Sequence, residues 1–343
     1  MKNPTLIEPK SYNFLSINEF LTNFNDYYNK SIPFIFTIDF DIKHFYLEKL
    51  QNLITNDNVL FNFNGITNHS SMFKIDKNLY LKKFPIDYES YLKKFEIVQS
   101  HLKQGDSYLL NLTAPTKIET NLSLKEIYLL SNSKYKLYFY GIFTFFSPET
   151  FITIEDSIIK THPMKGTIDS SIPNAKEVLL NDEKELAEHI TVVDLLRNDL
   201  NMVSKKVTVT NFRYFSEINL NNKKIYQTST EIVGNIKSSY QKNIAELIIR
   251  LLPAGSVTGA PKKKTVDIIK SVETYERFFY TGISGLFDGK ILDTCVNIRY
   301  IEKTQDDLYY KSGGGITVYS NPINEYNELI EKVYVPISRN YKA

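Results

Sequence analysis

Hydrophobic and polar positions alternate in short runs along the chain, in the period of two that turns one face of a strand toward a core. Such runs occupy 33–39, 59–63, 107–113, 137–145, 151–155, 207–210 and 308–311. Elsewhere apolar residues recur at three- and four-residue spacing, which predicts helices over 17–28, 88–102, 124–130, 183–198, 242–252, 263–271 and 322–334. Strands come in runs punctuated by helices, without strict β-α-β alternation, and this predicts an α+β protein with large, mainly antiparallel sheets. No Pro/Ser/Gly linker, low-complexity tract or internal repeat divides the 343 residues, so one compact body is expected.

Charge narrows the function classes. Lys and Arg number 41 against 39 Asp and Glu, and no basic run exceeds Lys262 to Lys264, so the phosphate-neutralising surface of a nucleic-acid binder is missing. A single cysteine, Cys295, forms no internal disulfide, thiolate zinc cage or iron–sulfur site, and in a strand-like DTCVNIR it reads as a small core residue. Residues 1–14 carry Glu8 and Lys10 and lack the apolar core of a signal peptide. The longest apolar-rich run, 137–146, is far below the roughly 20 residues of a membrane-spanning helix. A cytoplasmic protein without a membrane partner is expected.

Two helical segments carry candidate chemistry. In NDEKELAEHITVVDLLRND a capping residue and the Asp182/Glu185 spacing start a helix on which Glu185 and Glu188 share a face. Near the C-terminus Pro322 suits a first helical turn, and Glu325 and Glu328 again stand at i and i+3. Taken alone, an ExxE pair marks a solvated helix face. If the helices converge, four carboxylates without His or Cys form a hard oxygen site suited to Mg²⁺ beside an anionic ligand.

Two glycine segments could receive carboxylates. PAGSVTGAPKKK, 253–264, fails the Walker spacing but offers Ser256, Thr258 and a helix start near Pro261, so amides and hydroxyls are expected to converge there. Gly313, Gly314 and Gly315 follow a strand-like stretch and mark either a bulge or tight turn, or backbone that a ligand approaches closely. In THPMKGT, 161–167, Pro163 and Gly166 bracket Lys165 in an expected irregular or turn conformation, where a lysine is ordinarily a solvated charge and becomes a nucleophile only when partly buried. Ser147-Pro148-Glu149 ends the apolar run 137–146, and a strand-turn-strand path would return Glu149 to Lys165.

Together these segments resemble the chorismate-utilising enzymes, and among them the aminodeoxychorismate synthase component I group. GDSYLLNL, SPETF, HPMKGT, AEHITVVDLLRNDL, QTSTEIVG, PAGSVTGAPK, YTGISG, DTCVNIR, KSGGGI and EYNELIEK follow one another in family order across about 105–333. Residues 1–100 match loosely and would supply an N-terminal part of the sandwich, with 101–343 as the chorismate-binding catalytic region. The resemblance implies two large antiparallel sheets packed as a sandwich, helices outside and the active site between the sheets. It implies Mg²⁺ on Glu188 and Glu328, with Glu185 and Glu325 as partners. Ser256, Gln227, Thr167, Lys332 and the amides of Gly313, Gly314 and Gly315 would meet the substrate. Tyr280 and Arg299 would hold the enolpyruvyl group, the arginine through its planar fork.

Lys165 decides between reactions. Anthranilate-forming members resemble PIAGT here, whereas PMKGTIDSS matches the aminodeoxychorismate pattern, in which the lysine attacks C2 of chorismate and the SPE glutamate, Glu149, assists departure of the C4 hydroxyl. That division of labour requires a neutral lysine and a protonated glutamate, hence a depressed and a raised pKa. Anthranilate synthase component I is the nearest alternative, and a non-catalytic chorismate-binding subunit a more distant one. Leu109 stands where isochorismate-forming relatives have a water-activating lysine and amine-forming members usually have glutamine, Gln227 where many have histidine, His162 for a commoner arginine and Ala254 for a glycine. An aliphatic Leu109 cannot activate water. Cys295 is no amidotransferase nucleophile and the sequence ends at Ala343, so ammonia is expected from a separate glutamine amidotransferase subunit, in a heterodimer, and product release from a further enzyme.

Overall fold

Among the described residues, 14–69, 79–220, 223–305 and 307–336 of a computed structural model, the strands assemble into two nine-stranded sheets. Residues 1–13 and the C-terminus at Ala343 lie outside the described residues. The first sheet runs in the order Met164–Asp169, Lys223–Ile236, Ile158–Thr161, Thr150–Glu155, Leu292–Val296, Ile283–Phe287, Phe34–Ile38, Phe45–Lys49, with Ser204–Leu220 joined to Lys223–Ile236. The second runs Gly259–Ala260, Leu109–Thr120, Asp307–Ile316, Tyr300–Thr304, Phe143–Ser147, Tyr135–Phe139, Val59–Phe63, Ile66–Thr67, with Leu81–Phe84 on Leu109–Thr120. Adjacent strands are antiparallel, for example Phe34–Ile38 against Ile283–Phe287 and Asp307–Ile316 against Leu109–Thr120.

Alternation explains the layering. Phe34, Phe36 and Ile38 pack with Phe20 and Phe24 of the helix Ile17–Asn29, while Ile35 points the other way, into a cluster with Phe61, Leu137, Phe143 and Cys295 that fills the space between the sheets. Both faces of this strand are buried, because helix covers one and the second sheet the other, whereas its period of two suggested a half-wet strand. The helices Glu183–Val203 and Ile244–Leu251 also cover the first sheet. Tyr88–Lys103, Lys262–Val272 and Pro322–Glu331 cover the outer face of the second, against Leu110, Leu112, Ala114 and Ile316. The result is the expected α+β sandwich with helices outside. No helix among the described residues is long and apolar enough to cross a membrane.

Capping fixes where helices begin. Ser16 and Glu19, and Ser123 and Glu126, form reciprocal capping boxes, and Asp182 accepts from the Glu185 amide. Three segments take a more definite form in the fold. The run 137–145 is a hairpin, Tyr135–Phe139 and Phe143–Ser147, because Gly141 turns the chain at φ 71°. Lys165 lies on a strand, Met164–Asp169, whose register slips between Lys165 and Thr167 where Gly166 adopts φ 75°, so of the irregular or turn conformations expected the chain takes a bulge. Gly313, Gly314 and Gly315 also form neither bulge nor turn: they sit inside the strand Asp307–Ile316, paired with Thr113, Leu112 and Asn111.

Candidate active site

Strands of both sheets and the helices Glu183–Val203 and Pro322–Glu331 enclose a cavity of about 300 Å³, the lower end of the range for small-ligand sites. Glu149, Lys165, Gln227, Ser256, Tyr280, Arg299, Gly313, Gly314, Gly315, Glu328 and Lys332 all line it. Sequence positions nearly two hundred apart are thus gathered at one point.

The glycine strand needs its missing side chains. A Cβ at Gly313 would collide with the Thr113 side chain and come within 2.6 Å of the Leu112 carbonyl oxygen. At Gly314 it would stand 3.3 Å from Glu325 Oε2 and 3.7 Å from Glu328 Oε1. Lys332 fastens this strand to its neighbouring helix, donating to the Gly313 carbonyl at 2.8 Å and pairing with Glu328 at 2.6 Å. Behind it, a buried ion pair between Arg277 and Glu273, 2.7 Å, holds Thr113 through its amide and hydroxyl and the Asn111 carbonyl through Arg277.

Lys165 and Glu149 enter from the first sheet. Burial pushes the Glu149 carboxyl above its ordinary value, against the opposing pull of the Ser256 hydroxyl, which donates to it at 2.5 Å, and of the Lys165 and Lys332 charges. The raised carboxyl agrees with the expectation for a proton donor. Lys165 Nζ lies 3.3 Å from Glu188 Oε2. Ser256 therefore faces Glu149, and the hydroxyl convergence expected at 256 and 258 does not form, because Thr258 closes its own 3₁₀ turn by donating to the Ala254 carbonyl at 2.9 Å. Lys262 pairs with Asp199 at 2.9 Å, a structural role in keeping with the failed Walker spacing.

Across the two helices Glu188 stands near enough to Glu325 to repel it, and of the four carboxylates Glu328 lines the cavity. Burial raises Glu325, and Glu328 on its own helix and Glu188 on the other raise it further. Glu185 is raised by burial and then by Glu188. Burial pushes Glu328 upward, but Lys332, together with Lys165 and Lys184, holds this carboxylate below its ordinary value. Such mutual repulsion is relieved by a cation, and hard oxygen donors suit Mg²⁺. Lysines meet part of that demand in this structure: Lys165 and Lys184 stand 3.3 and 3.9 Å from Glu188. Among the described residues no three acidic, His or Cys side chains stand close enough to hold an ion together. The donor chemistry fits; a bound ion would draw the helices' carboxylates away from these lysines.

Orphaned polar atoms point to a polar ligand. Arg299 Nη1 and Asn111 Oδ1 are buried without a protein partner, and both residues line the cavity. The Arg299 guanidinium rests 4.4 Å over the Tyr334 ring, which sets its plane. Thr167 is exposed and lies outside the lining, paired in register with Gln227. Asn111 and Lys184 escaped the sequence reading. Asn111 was recoverable from alternation, since Leu110 and Leu112 fill the outer core while Leu109 and Asn111 face the cavity. Cys295 is buried and its thiol pushed up by that burial, as expected for a core residue.

The cavity between the two sheets thus combines a glycine strand, an arginine and the carboxylates Glu149 and Glu328. The chorismate binding enzyme profile matches residues 43–338, and the chain belongs to this family. It is 44% identical over 322 residues, 94% of this chain and 98% of the other, to an "Uncharacterized PabA-like protein" of Haemophilus influenzae. It is 32% identical over 198 residues to "Aminodeoxychorismate synthase component 1" of Bacillus subtilis, spanning 55% of this chain and only 40% of that protein. Anthranilate synthase component I from Streptococcus pneumoniae superposes with a TM-score of 0.63 at 25% identity, over 74% of this chain and 58% of the other.

Proposed function

We propose that this chain is an aminodeoxychorismate synthase component I, converting chorismate and ammonia to 4-amino-4-deoxychorismate, the precursor of p-aminobenzoate and folate, with ammonia supplied by a glutamine amidotransferase subunit. The observation that carries this reading is that Lys165 and a Glu149 of raised pKa face one cavity, with Arg299 and the glycine strand placed to take carboxylates. Similarity to both aminodeoxychorismate and anthranilate synthases leaves the choice to Lys165.

In this mechanism the neutral Lys165 amine forms a bond to C2 while the C4–O bond breaks. Glu149 gives its proton to the departing hydroxyl, which leaves as water. Ammonia then bonds to C4, the C2–Nζ bond breaks, and the surplus proton on the new amine returns to Glu149. The balance is chorismate plus ammonia to aminodeoxychorismate plus water. Mg²⁺ held by Glu188 and Glu328, with Glu185 and Glu325 beside them, would neutralise the ring carboxylate and withdraw electrons from the ring. Arg299 and Tyr280 orient the enolpyruvyl group, and Leu109 keeps water from being activated at the ring.

The test is product identification after incubation with chorismate, Mg²⁺ and ammonium plus an aminodeoxychorismate lyase. p-Aminobenzoate is expected. Anthranilate would establish the alternative reaction of tryptophan synthesis, and binding without turnover would make the chain a passive subunit.

A further inference from the structure

A second cavity, of about 470 Å³, adjoins the first, and Pro148, Met164, Gln227 and Arg299 line both. Its rim includes the exposed Asn132 and Lys134 on one side and Tyr214 and Ser216 on the other. The shared wall includes Pro148, the residue before Glu149, so the second cavity meets the first beside the proton donor. A ring substrate in a 300 Å³ space leaves little room for a second reactant to follow it in.

We propose that this second cavity is the route by which ammonia, as the neutral molecule, reaches the carbon beside Glu149. The inference rests on the amination reading. Not one of the residues lining the second cavity is acidic, while Lys134 and Arg299 contribute positive charge. A cation entering there is repelled, and a small neutral donor-acceptor is not. Ser133, Ser216 and Ser229 are among the residues that line the second cavity. His162 Nδ1 and the Tyr214 hydroxyl, 3.2 Å apart, tie the walls together, and burial holds the imidazole below its ordinary pKa, in its neutral form. The first cavity, by contrast, carries Glu149 and Glu328.

The experiment fills the second cavity from either wall without touching the first, through Ser216→Val, Ser216→Phe and Ser133→Phe. Initial rates are measured against ammonium at saturating chorismate, with chorismate affinity measured separately by equilibrium binding as the check on folding. The KM for ammonium is expected to rise with side-chain size, by about tenfold for the phenylalanines, while chorismate affinity stays within about twofold. An unchanged ammonium KM in a wild-type background that does aminate overturns the route alone. A loss of chorismate affinity in Ser216→Val with ammonium KM unchanged assigns the cavity to the substrate and also overturns it. Wild-type chain that forms no amine removes the amination reading and the route together.

Discussion

Replacing Glu149 by Gln keeps the side chain's size and a carbonyl oxygen for the Ser256 hydroxyl, yet removes the only proton this group can give. General acid catalysis contributes about 10²- to 10⁴-fold, or roughly 2.7–5.5 kcal/mol of barrier at 1.36 kcal/mol per tenfold. kcat for amination in Glu149→Gln is therefore expected to fall by about 10²- to 10⁴-fold with chorismate affinity preserved. The wild-type pH profile adds a sign. Burial raises the Glu149 pKa, so the acid form persists above the ordinary carboxyl range, and kcat falls as pH rises through the raised value. The Ser256 hydrogen bond favours the ionised form, so Ser256→Ala moves that falling limb to higher pH. The assay is steady-state p-aminobenzoate formation with saturating ammonium and excess lyase. A Glu149→Gln enzyme that retains kcat within about threefold, or keeps the wild-type limb, refutes the proton-donor argument.

Lys165→Ala should abolish amination while leaving chorismate bound, and intact-protein mass spectrometry of the wild type quenched without ammonium should show an adduct that Lys165→Ala lacks. Mg²⁺ at a hundred times its Kd should stabilise the chain by about 2.7 kcal/mol in thermal or denaturant unfolding, and Glu188→Gln should erase that gain; equal stabilisation of both proteins would place the ion elsewhere. Gly313→Ala, which drives a methyl into Thr113 and the Leu112 carbonyl, should cost about 1–3 kcal/mol by urea denaturation, against less for Gly314→Ala, whose nearest neighbours are flexible carboxylates. Phe24→Ala should cost about 3–5 kcal/mol, because the ring is fully buried between helix and sheet; a value under 1 kcal/mol would contradict the packing.

Much of this architecture was legible because local signals agreed with the tertiary outcome. The helix 124–130 carries its own capping box, as does the helix expected over 17–28, so each is specified where it stands. Strands such as Ile283–Phe287 were missed because both faces are buried and GISGLF carries no period of two. Glycine left the form of 313–315 open for one reason: it signals freedom from a side chain, which serves a turn, a bulge or a crowded strand equally well. At Gly313 the crowding comes from Thr113, two hundred residues earlier in the sequence, and no local pattern reports that distance. The candidate site residues were singled out through motif resemblance, while the ion pairs of Lys165, Lys184 and Lys332 emerged only once the helices were set opposite the strands.

The strand Phe34–Ile38 lies inside its sheet, and its partner Ile283–Phe287 is made long afterwards: the Thr37 hydroxyl bonds to the Ile283 carbonyl across 246 residues. At a synthesis rate of 5–20 residues per second, Phe34–Ile38 waits roughly 12 to 50 s on the ribosome with one apolar edge unpaired. During that interval it is an aggregation hazard that the finished sandwich conceals. Production of this protein should therefore respond to chaperone supply and growth temperature more than its native stability would suggest.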